Sequence, residues 1–81
     1  MPNRYEAQGR TEATRWVDEL AEDFVKDDQV SHVVAREKAA RGFLKNVTSL
    51  MDAAEEWGVP RPISAYLRGW TEELRRIAGG E

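Results

Sequence analysis

Glu55-Glu56-Trp57-Gly58-Val59-Pro60-Arg61-Pro62-Ile63-Ser64-Ala65-Tyr66-Leu67-Arg68-Gly69-Trp70-Thr71-Glu72-Glu73-Leu74-Arg75-Arg76-Ile77 decides the fold. Two helical patterns meet at its first glycine. Gly58 suits the left-handed position just past a helix end, Val59 can fold back on Ala54, and Pro60 prevents the helix from continuing. Pro62 is comfortable in the first turn of the next helix because it has no amide hydrogen to leave unpaired. From there Ile63, Leu67, Trp70, Leu74 and Ile77 recur at alternating steps of four and three, the seam expected of a helix packed against nearly antiparallel neighbours. The spacing predicts a helix over 62–78, stopped by Gly79-Gly80, with Tyr66 and Ala78 widening the seam.

Working back from Trp57, a helix is expected over 29–57. Its beginning is thin, with Val30, Val33 and Val34. After Glu37 a dense apolar band follows at helical spacing: Ala40, Phe43, Leu44, Val47, Leu50, Met51, Ala54 and Trp57. A first helix is expected over 4–27, where Ala13, Trp16, Val17, Leu20, Ala21, Phe24 and Val25 form one face and acids the other. Asn3 with Glu6 resembles a capping box, although that start puts Gly9 inside the helix at about 1 kcal/mol relative to alanine. Thr11 is the competing cap. Asp27-Asp28 stops this helix and offers a capping aspartate to the next.

No strand pattern, internal repeat or low-complexity linker is present, so the chain reads as one all-α domain over 1–81. The two arrangements open to it are a three-helix antiparallel bundle and an elongated helical hairpin plus a third helix. Lengths bear on the choice, because at about 1.5 Å per residue the middle helix is roughly 40 Å long and the third only about 25 Å. The third helix folds back over the dense half of the middle one, and the first covers the thin half. They overlap fully only if the first helix reaches back to Asn3. Otherwise part of the band from Phe43 to Trp57 has one neighbour where a bundle core needs more, and dimerisation is expected to complete it.

A chain of 81 residues without cysteine has neither disulfides nor thiolate metal sites nor a cysteine nucleophile, so helix packing and oligomerisation are its means of stabilisation. No stretch approaches the roughly 18 apolar residues of a membrane span, and the polar start lacks a signal-peptide apolar run; cytoplasmic location is expected. The formal charge of −3 is unevenly placed. Residues 1–28 hold four bases against eight acids, whereas the last helix carries Arg61, Arg68, Arg75 and Arg76. Arg61, Arg68 and Arg75 recur every seven residues and so line one basic edge.

The only histidine, His32, is four residues from Asp28, too few ligands for a metal site; it reads as a first-turn histidine hydrogen-bonded to a capping aspartate. The carboxylate pairs Asp18/Glu22, Glu19/Asp23 and Asp52/Glu56 lie on polar faces and read as solvated surface. No nucleophile motif or phosphate loop is present, so neither catalytic residues nor cofactor nor small-molecule substrate is expected. Gly42 and Gly69, each between an arginine and an aromatic, lie inside helices where glycine is costly, which points to close backbone approach or to a tolerated surface position. Trp16, Trp57 and Trp70 fall on apolar stripes and read first as core anchors.

Residues 54–69, from Ala54 through Gly58-Val59 to the helix opening at Pro62, resemble the helix-turn-helix pattern of bacterial repressors. That resemblance implies a DNA-binding regulator in which Arg61, Ser64, Ala65 and Arg68 face bases or phosphates in a major groove.

The leading expectation is a different one: a non-catalytic protein-binding helical module, an adaptor, regulator or small inhibitor. Its partner surface would hold Tyr66 and Trp70 with Arg61, Arg68 and Arg75. Its core and a homodimer contact would draw on Phe43, Leu44, Val47, Leu50, Met51, Trp57, Ile63, Leu67, Leu74 and Ile77.

Overall fold

The computed structural model describes residues 3–79 and shows three helices packed on one another: α1 (Arg4–Asp28), α2 (His32–Trp57) and α3 (Arg61–Ala78). Short connections make consecutive helices antiparallel, and among the described residues there is no strand. The body measures 42 × 26 × 18 Å, its long dimension set by the 26 residues of α2.

α1 begins at Asn3, whose side chain accepts from the Tyr5 amide at 2.8 Å; Thr11 lies inside the helix and returns its hydroxyl to the Ala7 carbonyl. The α1–α2 connection differs from the sequence expectation. Asp28 is the last residue of α1, Gln29 turns the chain in a left-handed conformation (φ 53°), and Ser31 caps α2 by accepting from the Val34 amide. Asp28 therefore does not cap the next helix or serve His32: its carboxylate takes Lys38 Nζ at 2.9 Å. After a left-handed residue the chain needs extended backbone before a new helix can start, which moves the cap three residues on. The α2–α3 turn is as expected, with the amides of Gly58 and Val59 both donating to the Ala54 carbonyl at 2.9 and 3.2 Å in a Schellman-type closure.

The core is narrow. Among the described residues, six of the ten buried apolar ones are alanines, Ala13, Ala21, Ala35, Ala39, Ala40 and Ala65, and Leu74 and Val17 are the largest fully buried side chains. Small residues let the helix backbones approach closely, most of all where α1 crosses α3. A Cβ on Gly9 would overlap the Tyr66 carbonyl and lie 3.2 Å from the Trp70 nitrogen, and one on Gly69 would overlap the Glu6 carbonyl and lie 3.1 Å from the Arg10 nitrogen. Each glycine thus makes room for the other helix's main chain. Gly42, by contrast, has nothing within 4 Å of a Cβ position and is a surface glycine.

This crossing divides α1. Its first half lies on α3, where Arg10 pairs with Glu72 and Thr14 donates to Glu73 at 2.8 Å. Its second half lies on α2, where Asp18 accepts from Arg36 at 3.0 Å and Lys38 Nζ sits 4.5 Å over the Phe24 ring. α1 does reach back to Asn3, yet the overlap does not close the bundle, because the first half has turned onto α3 and away from the end of α2. The side of α2 that buries Ala35 and Ala39 under α1 continues as Leu50 and Trp57, which are 56% and 81% exposed.

Candidate protein-binding face

Where α1 leaves α2, the three helices frame an apolar groove of about 400 Å³ lined by Trp16, Phe43, Val47, Leu50, Tyr66, Leu67 and Trp70, with Asn46 at its edge. A second hollow of about 340 Å³ continues it between the ends of α2 and α3, lined by Leu50, Ala53, Ala54, Trp57, Val59, Ile63 and Leu67. Leu50 and Leu67 belong to both, so the two form one apolar strip. Its walls are aromatic: Trp70 meets Phe43 edge-on at 6.2 Å and Tyr66 at 6.4 Å between ring centroids. The Trp70 Nε1–H is buried and has no hydrogen-bond acceptor among the described residues.

The strip redistributes the residues expected to form core and dimer contact. Val47, Leu74 and Ile77 are buried, and Phe43, Leu44, Met51 and Leu67 are half-buried. Leu50, Trp57 and Ile63 stand at the surface, as does Trp16, 49% exposed. Trp57 and Trp16 are therefore not core anchors. For each the helical stripe was legible, but the neighbouring helix that would cover it is absent at that level.

The aromatic and basic residues expected on one partner surface are on opposite sides of α3. Arg68 lies two residues from both Tyr66 and Trp70, which at about 100° per residue puts it nearly across the helix from them. Arg68 and Arg75 instead border a separate polar cleft of about 260 Å³ with Thr48, Met51, Asp52, Glu55, Thr71 and Glu72. Arg61 is exposed at the start of the same edge. Among the described residues, none of these three arginines has an ion-pair partner. In that cleft the buried Thr71 hydroxyl lies 2.9 Å from the Leu67 carbonyl and 3.0 Å from the Met51 sulfur.

The two carboxyls with shifted titration, Glu72 and Glu73, both lie where α3 meets α1. Arg10 donates to Glu72 and holds its carboxyl below the ordinary value; Arg76 does the same to Glu73, helped by the Thr14 hydroxyl, with partial burial opposing in both. Glu72 in turn raises the Arg10 guanidinium. Among the described residues no three of His, Cys, Asp and Glu are placed to hold a metal ion, and no helix is long and apolar enough to cross a membrane.

Of the residues implied by the helix-turn-helix resemblance, Arg61 and Arg68 are exposed, Ser64 is half-buried and Ala65 is buried, 6% exposed. Comparison of the chain with protein-family models, with curated proteins and with solved structures finds no match.

Two contributors were not found from sequence. Trp16 was assigned to the core, and no local signal shows that α1 departs from α2 beside it. Gly9 was counted only as a helix cost, although the same argument of close approach applied to Gly69 would have marked it.

Proposed function

We propose that this chain is a non-catalytic protein-binding module, an adaptor, regulator or small inhibitor, whose working surface is the apolar strip from Trp16 to Trp57. The observation that carries the reading is the exposure of Leu50, Trp57 and Ile63 beside half-buried aromatics in one continuous groove. Contiguous apolar surface of this kind marks interaction sites on small proteins, and tryptophan and tyrosine are the residues most enriched where binding energy concentrates. A helix laid in the groove supplies the neighbour that the end of α2 lacks. A second copy of the chain can supply it as a homodimer, and so can another protein; both are uses of the same face.

The test is a pair of measurements on the wild type and on Leu50→Ser, a change at a position exposed enough to leave the fold intact. Light scattering reads self-association, and affinity capture from a native extract reads other partners. The reading requires that either a dimer or a captured protein be lost in the variant. A monomer whose captured proteins are the same with Leu50→Ser refutes it. Burial of Ala65 removes one of the four positions that the DNA-binding alternative requires at the surface, and the protein-binding reading needs no such exposure.

A further inference from the structure

We infer that the occupant of the apolar strip is a second copy of this chain, lying antiparallel to the first about a two-fold axis at Leu50. The inference rests on the protein-binding reading and names the occupant. A two-fold contact sets one patch against itself, so whatever projects on one side of the axis must find a hollow at the same distance on the other. The strip meets that requirement. Leu50 and Leu67 belong to both hollows and mark its middle. Phe43 and Trp57 lie seven residues to either side of Leu50 on one stripe of α2, about 10 Å away in each direction. The two ends differ in relief. At one, Trp57 projects beside Ile63 with 81% of its surface exposed; at the other, Trp16, Phe43 and Trp70 wall the larger hollow of about 400 Å³. Inverting one copy on the other sets each Trp57 over the other copy's larger hollow, so the same fit is made twice.

The chemistry and the area of the strip agree with that occupant. Among the described residues no charged side chain lines either hollow, so the strip meets its own copy without burying a pair of like charges. Glu12 stands at the rim, its Oε2 3.4 Å from the Tyr66 hydroxyl. At about 250 Å² for a whole tryptophan, Trp57 and Trp16, 81% and 49% exposed, present roughly 300 Å² per copy. A symmetric pair therefore covers roughly 600 Å² of tryptophan before Leu50, Ile63 and the half-buried lining are added, which brings it within reach of the roughly 1,200 Å² at which specific interfaces begin. The second copy also supplies the support that a short chain with an alanine-rich core lacks, since chains of this size gain stability by oligomerisation when they have no disulfide or metal.

The experiment is sedimentation equilibrium of the full chain over a range of concentrations, with circular dichroism to confirm that each variant is folded. The wild type should reach twice 9.2 kDa. Leu50→Ser and Trp57→Ala, both at exposed positions, should each raise the dimer Kd about a hundred-fold, because each change occurs twice in a symmetric pair. Orientation is read by cross-linking, which the absence of native cysteine makes specific. Leu50→Cys meets its own copy at the axis and should form a disulfide between chains under mild oxidation. Asn46→Cys should not, because the two copies of that position lie about 12 Å apart along antiparallel helices, beyond disulfide reach. A dimer indifferent to both Leu50→Ser and Trp57→Ala lies on another face and overturns the inference, and so does a disulfide through Asn46→Cys, which requires parallel helices. A chain that stays monomeric at every concentration also overturns it, without touching the broader reading: that falls only if the proteins captured from a native extract are the same with Leu50→Ser.

Discussion

Alanine at Gly9 should destabilise this protein, although alanine is the better helix former. The position lies inside α1, so the substitution gains about 1 kcal/mol of helix propensity. The new methyl, however, would overlap the Tyr66 carbonyl, and that obstacle is backbone in the middle of α3, which cannot swing aside as a side chain does. The helices must separate by about 1 Å, a gap at which each atom pair along the crossing loses a quarter to a half of its dispersion energy. Overpacking of this kind costs about 1–3 kcal/mol; with backbone as the obstacle we take the upper end, leaving a net loss of about 2 kcal/mol. At about 2.1 cal/mol/K of unfolding entropy per residue, 1 kcal/mol corresponds to about 6 °C here, so thermal unfolding followed by circular dichroism should show Tm lowered by about 12 °C. Gly42→Ala is the internal control, because it gains the same propensity in open space and should raise Tm by about 6 °C. Gly69→Ala should resemble Gly9→Ala, and the double variant should lose less than the sum, since one separation accommodates both methyls. A Gly9→Ala protein melting at or above the wild type would show that the backbones do not meet there.

Three further outcomes follow from the same geometry. Ser31→Ala should cost about 1 kcal/mol as the loss of the α2 cap, and Asp28→Ala, which removes only an exposed pair with Lys38, less than half that in chemical denaturation. Glu72 and Glu73 titrate below their ordinary value of 4.5 in the folded chain; their stabilisation is present above that value and is lost as pH falls through the folded values. Tm measured from pH 6 downward should therefore drop, and the drop should be shallower in Glu73→Gln. Trp70→Phe removes a buried N–H that has no acceptor among the described residues and should cost far less in denaturant unfolding than Trp70→Ala, for which about 3–5 kcal/mol is expected.

Helix number, order and most boundaries were legible because they are written locally. The Gly58 turn, the period of the α3 seam and the Asn3 cap each depend on residues within a turn or two of one another. The Ser31 cap was missed because its use depends on Gln29 adopting a left-handed conformation, which no residue type at that position demands. What the sequence could not convey is where α1 goes. An amphipathic stripe states which side of a helix seeks cover and says nothing about which neighbour provides it. The small residues at Gly9 and Gly69 pull α1 onto α3, and only then do Trp16, Leu50 and Trp57, indistinguishable in pattern from Val17, Val47 and Leu74, become the candidate site. The arginine edge was legible from its seven-residue repeat, but its separation from Tyr66 and Trp70 follows from counting around the helix.

The alanine-rich interior bears on how long the chain persists. Alanines bury little surface, so the free chain holds a thin reserve of stability, while two of its three tryptophans, Trp16 and Trp57, stand outside. On the reading proposed here, a partner adds to that reserve by mass action, about 2.7 kcal/mol at a hundred times its dissociation constant. For a protein of this size that is about 16 °C in Tm. A chain without its partner then opens more often to proteases and is degraded sooner. Its abundance would follow the partner's concentration, with no dedicated control beyond a core too small to do without company.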